Sequence, residues 1–248
     1  MYTETRRALA KLQYGADRIA RAAGTPSLFG PKGLQWYRFP GETILQVVAV
    51  KAVRIVSGLN ATFRLAEQGY SVEAVVVLRT VDDFVDEITF LIEGYQSGAP
   101  TRAHEEFLKH FFEETVESTE QMLVDRSRPD RVKKKSIQAS QARYLNANDP
   151  DAPRKMAKAI DRGFDGYVHG AYPHSMELFD PNRAAGTFRM EGVDGTPYQA
   201  TIRTHLALYV SRALSVFGMV ALHIGEEALK EEFVSARKRF EGSSEAHG

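Results

Sequence analysis

Ser71–Gln96 reads SVEAVVVLRTVDDFVDEITFLIEGYQ, and the disposition of its charges sets the architecture. The run is apolar over most of a helical surface, yet it carries Arg79, Asp82, Asp83, Asp86 and Glu87 in its middle. Charges on so oily a helix must be paired, bind a ligand or share one exposed stripe. Arg79 and Asp83 lie four residues apart, as do Asp82 and Asp86, so the members of each pair share a helical face. The spacing predicts an Arg79–Asp83 ion pair, a structural network on the helix around which the chain is wrapped.

Upstream, residues 42–68 keep a helical stripe of Leu45, Val48, Ala52, Ile55, Leu59 and Ala66. Gly69 suits the position just past this helix, where the backbone turns left-handed, and Ser71 suits the N-cap of the next. So short a link predicts a long antiparallel hairpin, 42–68 against 71–96, with arms of roughly 40 Å. Residues 3–23 form an amphipathic first helix. Residues 28–40 read as an aromatic-rich loop whose Trp36 packs onto the domain surface. Thr101 caps an aromatic helix with His104 and His110 at its surface, and the polar helix RVKKKSIQASQARYL follows. A turn spans 148–153, before a helix over 154–169. Residues 200–224 form a central apolar helix in which His205 and His223 are satisfied core histidines, and 226–240 close the fold. Asp194-Gly195, between TFRM and TPYQ, predicts a small β-like flap near 187–199. The expectation is an all-α, single-domain bundle of about seven or eight helices over residues 1–240, with a disordered tail at 241–248.

Composition narrows the function classes. Lys+Arg and Asp+Glu are 32 each, so no global field draws the molecule to nucleic acid or to a membrane. Locally, residues 82–120 are strongly acidic and 126–143 strongly basic. With no cysteine, disulfide-linked partners, thiolate metal sites and Cys nucleophiles are excluded, and a reducing compartment fits. A signal-peptide pattern and an uncharged apolar run of about 18 residues are both lacking, which predicts a cytoplasmic protein with no membrane partner. No motif calls for a resident cofactor.

Asp82-Asp83-Phe84-Val85-Asp86 spells D-D-x-x-D, which resembles the first acidic motif of squalene and phytoene synthases. That resemblance implies Asp82, Asp83 and Asp86 as ligands of Mg²⁺ shared with an isoprenoid diphosphate. Asp161 and Asp165 are the nearest approach to the second acidic helix such chemistry needs.

Residues 55–92 carry a second resemblance, to the core hairpin of a bacterial all-helical family of unknown function. Leu65, Ala66 and Gly69 match its "LA-x-x-G", and Ala74, Leu78 and Arg79 match the following helix, with Asp83 in place of a glutamate. Tyr167, His169 and Gly170 match a later phrase. The family is similar to the HEPN group, many of whose members are metal-independent ribonucleases of toxin–antitoxin and phage-defence systems. Their signature is an Arg followed after about four to six residues by a His, working across a dimer interface; Arg162 and His169 fit it. The resemblance implies a homodimer directed to RNA, with Arg162 stabilising the phosphorane charge and His169 moving a proton at the ribose 2′-hydroxyl. His174, just past Pro173, is a second member of the same pocket. Lys133, Lys134 and Lys135 would track a phosphate backbone. The competing expectation is a non-enzymatic interaction or regulatory module in which Arg79, Asp83 and His169 form a buried network.

Overall fold

The computed structural model describes residues 2–30, 35–96, 98, 100–112, 132, 134, 136, 137, 139, 151–180, 187–192 and 195–245. Among these are eight helices: α1 (Tyr2–Ala22), α2 (Ile44–Glu67), α3 (Ser71–Gln96), α4 (Arg102–Phe112), α5 (Asp151–Val168), α6 (Tyr172–Ser175), α7 (Pro197–His223) and α8 (Glu227–Glu245). Two antiparallel hairpins accompany them, β1 (Ser27–Phe29) with β2 (Trp36–Arg38), and β3 (Phe179–Asp180) with β4 (Thr187–Phe188). The architecture is the expected all-α bundle.

The α2–α3 hairpin forms where the sequence places it. Thr43 opens α2 with a capping box, its hydroxyl accepting from the Gln46 N–H while the Gln46 side chain accepts from the Thr43 N–H. At the far end Gly69 has φ +78°, and the Tyr70 N–H reaches back to Leu65 O at 2.9 Å. This is a Schellman turn, which only a residue at ease with positive φ closes cheaply. The turn leaves Tyr70, not Ser71, as the N-cap of α3: the Ala74 N–H bonds Tyr70 O, and the buried Ser71 hydroxyl has no partner. Gly58 faces α3 at a point where a Cβ would overlap Val81, so its bare backbone lets the two arms close.

α1, α7 and α8 complete the main core around Leu12, Ile19, Ile55, Leu78, Phe217 and Phe233. Arg6, near the start of α1, pairs with Glu67 at the end of α2, and Arg18, near its end, with Glu226 at the start of α8, so α1 runs antiparallel to both. α3 and α7 run parallel, since Asp82 and then Asp86 meet residues of α7 in the same order. By length and composition α2 and α7 could each cross a membrane, and 56% of the apolar window of each is buried inside the bundle.

Several expectations are corrected. Where a loop was expected over 28–40, Ser27–Phe29 and Trp36–Arg38 pair as antiparallel strands, and Trp36 packs edge-on to Phe29 at 5.5 Å. The flap pairs Thr187–Phe188 with Phe179–Asp180, because TPYQ is consumed by the start of α7: Thr196 accepts from the Gln199 N–H, and Pro197 takes the first helical position. α5 begins at Asp151, inside the expected turn, with Pro153 tolerated in the first helical turn. α8 continues to Glu245, past the expected start of the tail, as Glu241 accepts from Ser211 at 2.6 Å and Arg237 at 2.8 Å. His205 is not satisfied: its Nδ1 is buried with no hydrogen-bond partner, and burial lowers its pKa.

His104 is 1% exposed rather than a surface residue. It belongs to a second small core of Ile44, Val47, Phe90, Leu91 and Ile137 beneath α4. Its ring stacks on Phe90 at 3.9 Å, Nδ1 accepts from the Thr101 N–H at 2.9 Å, and Nε2–H donates to Phe90 O at 3.1 Å. A donor at the start of α4, buried against α3, needs such an acceptor. Lys133, Lys135 and residues 246–248 lie outside the described residues.

Candidate functional site

Along α3, Asp82, Asp86 and Glu93 fall on one face, turned toward α7. Arg212 spans the first two, Nη1 to Asp82 Oδ1 at 2.6 Å and Nη2 to Asp86 Oδ1 at 2.9 Å. The Tyr209 hydroxyl, one turn earlier on α7, donates to the same Asp82 oxygen at 2.9 Å. Burial alone would lower the Arg212 pKa, but Asp82 and Asp86 outweigh it and hold it above the ordinary value. Tyr209 is held protonated by burial first and by the Asp82 charge second. Glu93 is different. It is 5% exposed, its Oε2 has no hydrogen-bond partner, and its carboxyl is pushed up to about 7 by burial and then by Asp86.

The expected Arg79–Asp83 pair is present at 2.5 Å, on the more open side of α3. Arg79 Nε also lies 3.8 Å from Asp165, which ties α5 to α3. His169 takes no part in this cluster. It is exposed, so the anticipated Arg79–Asp83–His169 network does not form. Lys134 turns its ammonium onto Asp83 at 2.9 Å and Asp82 at 3.6 Å, away from the phosphate-facing role expected for it. Asp82, Asp83 and Asp86 therefore converge on cations of the chain itself, and magnesium-diphosphate chemistry would first have to displace Arg212 and Lys134. Among the described residues, no group of three or more His, Asp or Glu side chains is arranged to hold a metal.

α5 presents the other candidate surface. Phe164 is buried with its ring 5.8 Å from Tyr209, which fixes the rotation of the helix. Arg162, Gly166 and His169, at i, i+4 and i+7, then fall together on the outer face. The His169 N–H bonds Asp165 O at 3.0 Å, so the helical register extends to it. Gly170, with φ +61°, then ends the helix in a second Schellman turn, the Ala171 N–H reaching Gly166 O at 2.8 Å. Arg162 and His169 are both exposed, and exposed Lys155 and Lys158 continue their stripe toward the start of α5. Two helical turns separate Arg162 from His169, about 10 Å along the axis.

The turn folds α6 back onto this face. The His174 ring stacks on Tyr167 at 3.9 Å, and its Nδ1 lies 3.4 Å from Glu177 Oε1. The Tyr167 hydroxyl donates to that oxygen at 2.8 Å; burial, and then Glu177, raise its pKa. A Cβ at Gly166 would overlap Nε2 and Cδ2 of His174, so the ring occupies the space a side chain would have filled.

Arg212, Tyr209, Glu93, Glu177 and Gly166 were not singled out from the sequence. Tyr209 and Arg212 carried a signal: polar side chains three apart on an apolar helix match Asp82 and Asp86 four apart on another. Glu177 stands three residues after His174, the spacing of helical neighbours.

Comparison of the chain with protein-family models, with curated proteins and with solved structures finds no match. Fold and site together define an all-helical bundle with an internal ion-pair seam and a basic outer helix that ends in a His–Glu–Tyr cluster.

Proposed function

We propose that this chain is an RNA-directed helical protein, a metal-independent ribonuclease of the toxin or defence type, acting through Arg162 and His169. One observation carries the reading: the two residues are exposed on a single face of α5, in line with the exposed Lys155 and Lys158. A row of cations at helical spacing follows a phosphate backbone, and a terminal imidazole can exchange a proton with a 2′-hydroxyl held there. Tyr172, 77% exposed beside this face, offers a ring on which a base can stack. The proposal includes a cytoplasmic homodimer, in which the Arg162–His169 pair of one protomer would work beside that of its partner.

The test is RNA binding under a salt titration, followed by fluorescence anisotropy of a labelled single strand. Replacing both Lys155 and Lys158 by Glu should weaken binding and reduce the salt slope by about 0.7 for each phosphate that is no longer neutralised. Unchanged affinity and slope would remove α5 as the RNA-binding face.

A second, non-enzymatic reading rests on the α3–α7 seam. Asp82 and Asp86 are counter-charged internally by Arg212, as a structural module would have them. It predicts a stable, folded protein with no affinity for RNA.

A further inference from the structure

We infer that the surface where α5 ends selects single-stranded RNA: Tyr172, Phe179, Phe188 and Tyr198 form a platform for its bases, and Lys155, Lys158 and Arg162 hold its backbone. The inference rests on the RNA-directed reading above and names the form of the substrate.

Exposure is the first argument. Four rings lie open within one stretch of chain: Tyr172 at 77%, Phe188 at 48%, Tyr198 at 43% and Phe179 at 37%. Single exposed aromatic residues are ordinary, but a cluster of them marks a surface that meets something.

Proximity is the second. Tyr172 opens α6, four residues past the end of α5 at Val168. The Tyr167 hydroxyl of α5 holds the Glu177 carboxylate at 2.8 Å, and Phe179 follows two residues later, about 7 Å along an extended chain. β3 pairs Phe179 with Phe188, and the two rings meet edge-on at 5.5 Å. Tyr198, in the first turn of α7, returns to the same place. Burial, then Glu177, then Tyr198 raise the Tyr167 pKa, so the two phenols lie near each other. Rings from α6, both flap strands and α7 thus gather at the end of α5 that carries His169.

Charge is the third. The exposed cations Lys155, Lys158 and Arg162 lead along α5 to this end. Three neighbouring acids are engaged within the fold, Asp165 with Arg79, Glu177 with Tyr167, and Asp180 with Arg189 at 2.5 Å; Glu191, just beyond the flap strand, is exposed. Open rings beside positive charge match a chain that presents bare base faces along a phosphate backbone. An RNA duplex hides those faces in its own stack and shows only edges and backbone, so it could use the cations but not the rings.

The experiment measures binding by fluorescence anisotropy with 2′-O-methyl RNA, which lacks the hydroxyl that cleavage requires. Three forms are compared: a mixed-sequence single strand, the same strand annealed to its complement, and a strand of equal length without bases. The single strand should bind about 10-fold or more tighter than either of the others. Tyr172→Ala and Phe188→Ala should each weaken single-strand binding about 5-fold or more and leave its salt slope unchanged, because a stacked ring releases no counterions. Phe188→Trp, which keeps a ring, should keep the affinity. Tyr172 guards against a folding artefact, since so open a side chain can be removed without disturbing the flap. A duplex or baseless strand bound as tightly as the single strand, or both alanine variants at wild-type affinity, overturns the platform and leaves the RNA-directed reading standing. A reduced salt slope in the alanine variants also overturns it, since the cations would then carry the loss. Wild-type protein that binds none of the three forms overturns both.

Discussion

Arg212 reaches across the α3–α7 interface to Asp82, Nη1 to Oδ1 at 2.6 Å, and so joins the opening helix to the central apolar one. Removing it withdraws the guanidinium that both carboxylates share, in a seam where they are nearly inaccessible. Arg212→Ala should cost about 3 kcal/mol, the low end for a broken buried pair because the guanidinium is partly open to solvent. The triple change Asp82→Leu, Asp86→Leu, Arg212→Met should recover most of it. Urea unfolding measures both, and a single mutant as stable as the parent would show that the seam is not a clamp.

Glu93 titrates in the opposite sense to a salt-bridged acid. Its folded-state value of about 7 stands above the ordinary 4.5, so folding favours the neutral carboxyl. Its contribution to stability is complete below the unfolded value and is lost as pH rises through about 7. The loss should be roughly 3 kcal/mol at most. Glu93→Gln should therefore be more stable than the parent at pH 8 and close to it at pH 4.5. Urea midpoints at the two pH values check this; an unchanged difference between the proteins would rule out Glu93 as the titrating group.

His104 joins α4 to α3 through a stack, a cap and a hydrogen bond to a carbonyl. His104→Ala should cost about 2–3 kcal/mol, from the missing cap and the cavity left beside Phe90. Hydrogen exchange should show the weakening first in α4. Uniform destabilisation of α3 and α4 together would mean that α4 is not a separate unit.

The long hairpin was legible because its signals are local. Gly69, the apolar stripe of α2 and the length of α3 all lie within one stretch, and each needs only its neighbours to be read. The choice between Asp82 and Asp83 was not. Adjacent residues on a helix point about 100° apart, and helical spacing favours Arg79–Asp83 over a partner in another helix. The rotation of α3 is set by packing of Leu78, Val81, Val85 and Ile88, and its answering cation lies 130 residues further on. His104 was misplaced for a similar reason: its distance from His110 shows that the two differ in orientation, not which one faces inward. On α5 the Arg162–His169 spacing could be read directly, but the seat of His174 on Gly166 requires the Schellman turn at Gly170 to fold α6 back. The contact is tertiary although the residues are close in sequence.

Whether the outer face of α5 cleaves RNA is decided by incubating purified protein with mixed RNA in EDTA, beside Arg162→Ala and His169→Ala. Both residues are exposed, so neither change should disturb the fold. The proposal predicts metal-independent cleavage leaving 2′,3′-cyclic phosphate ends, reduced by about 100-fold or more in each variant. No cleavage by the wild type, or cleavage that survives His169→Ala undiminished, would contradict it.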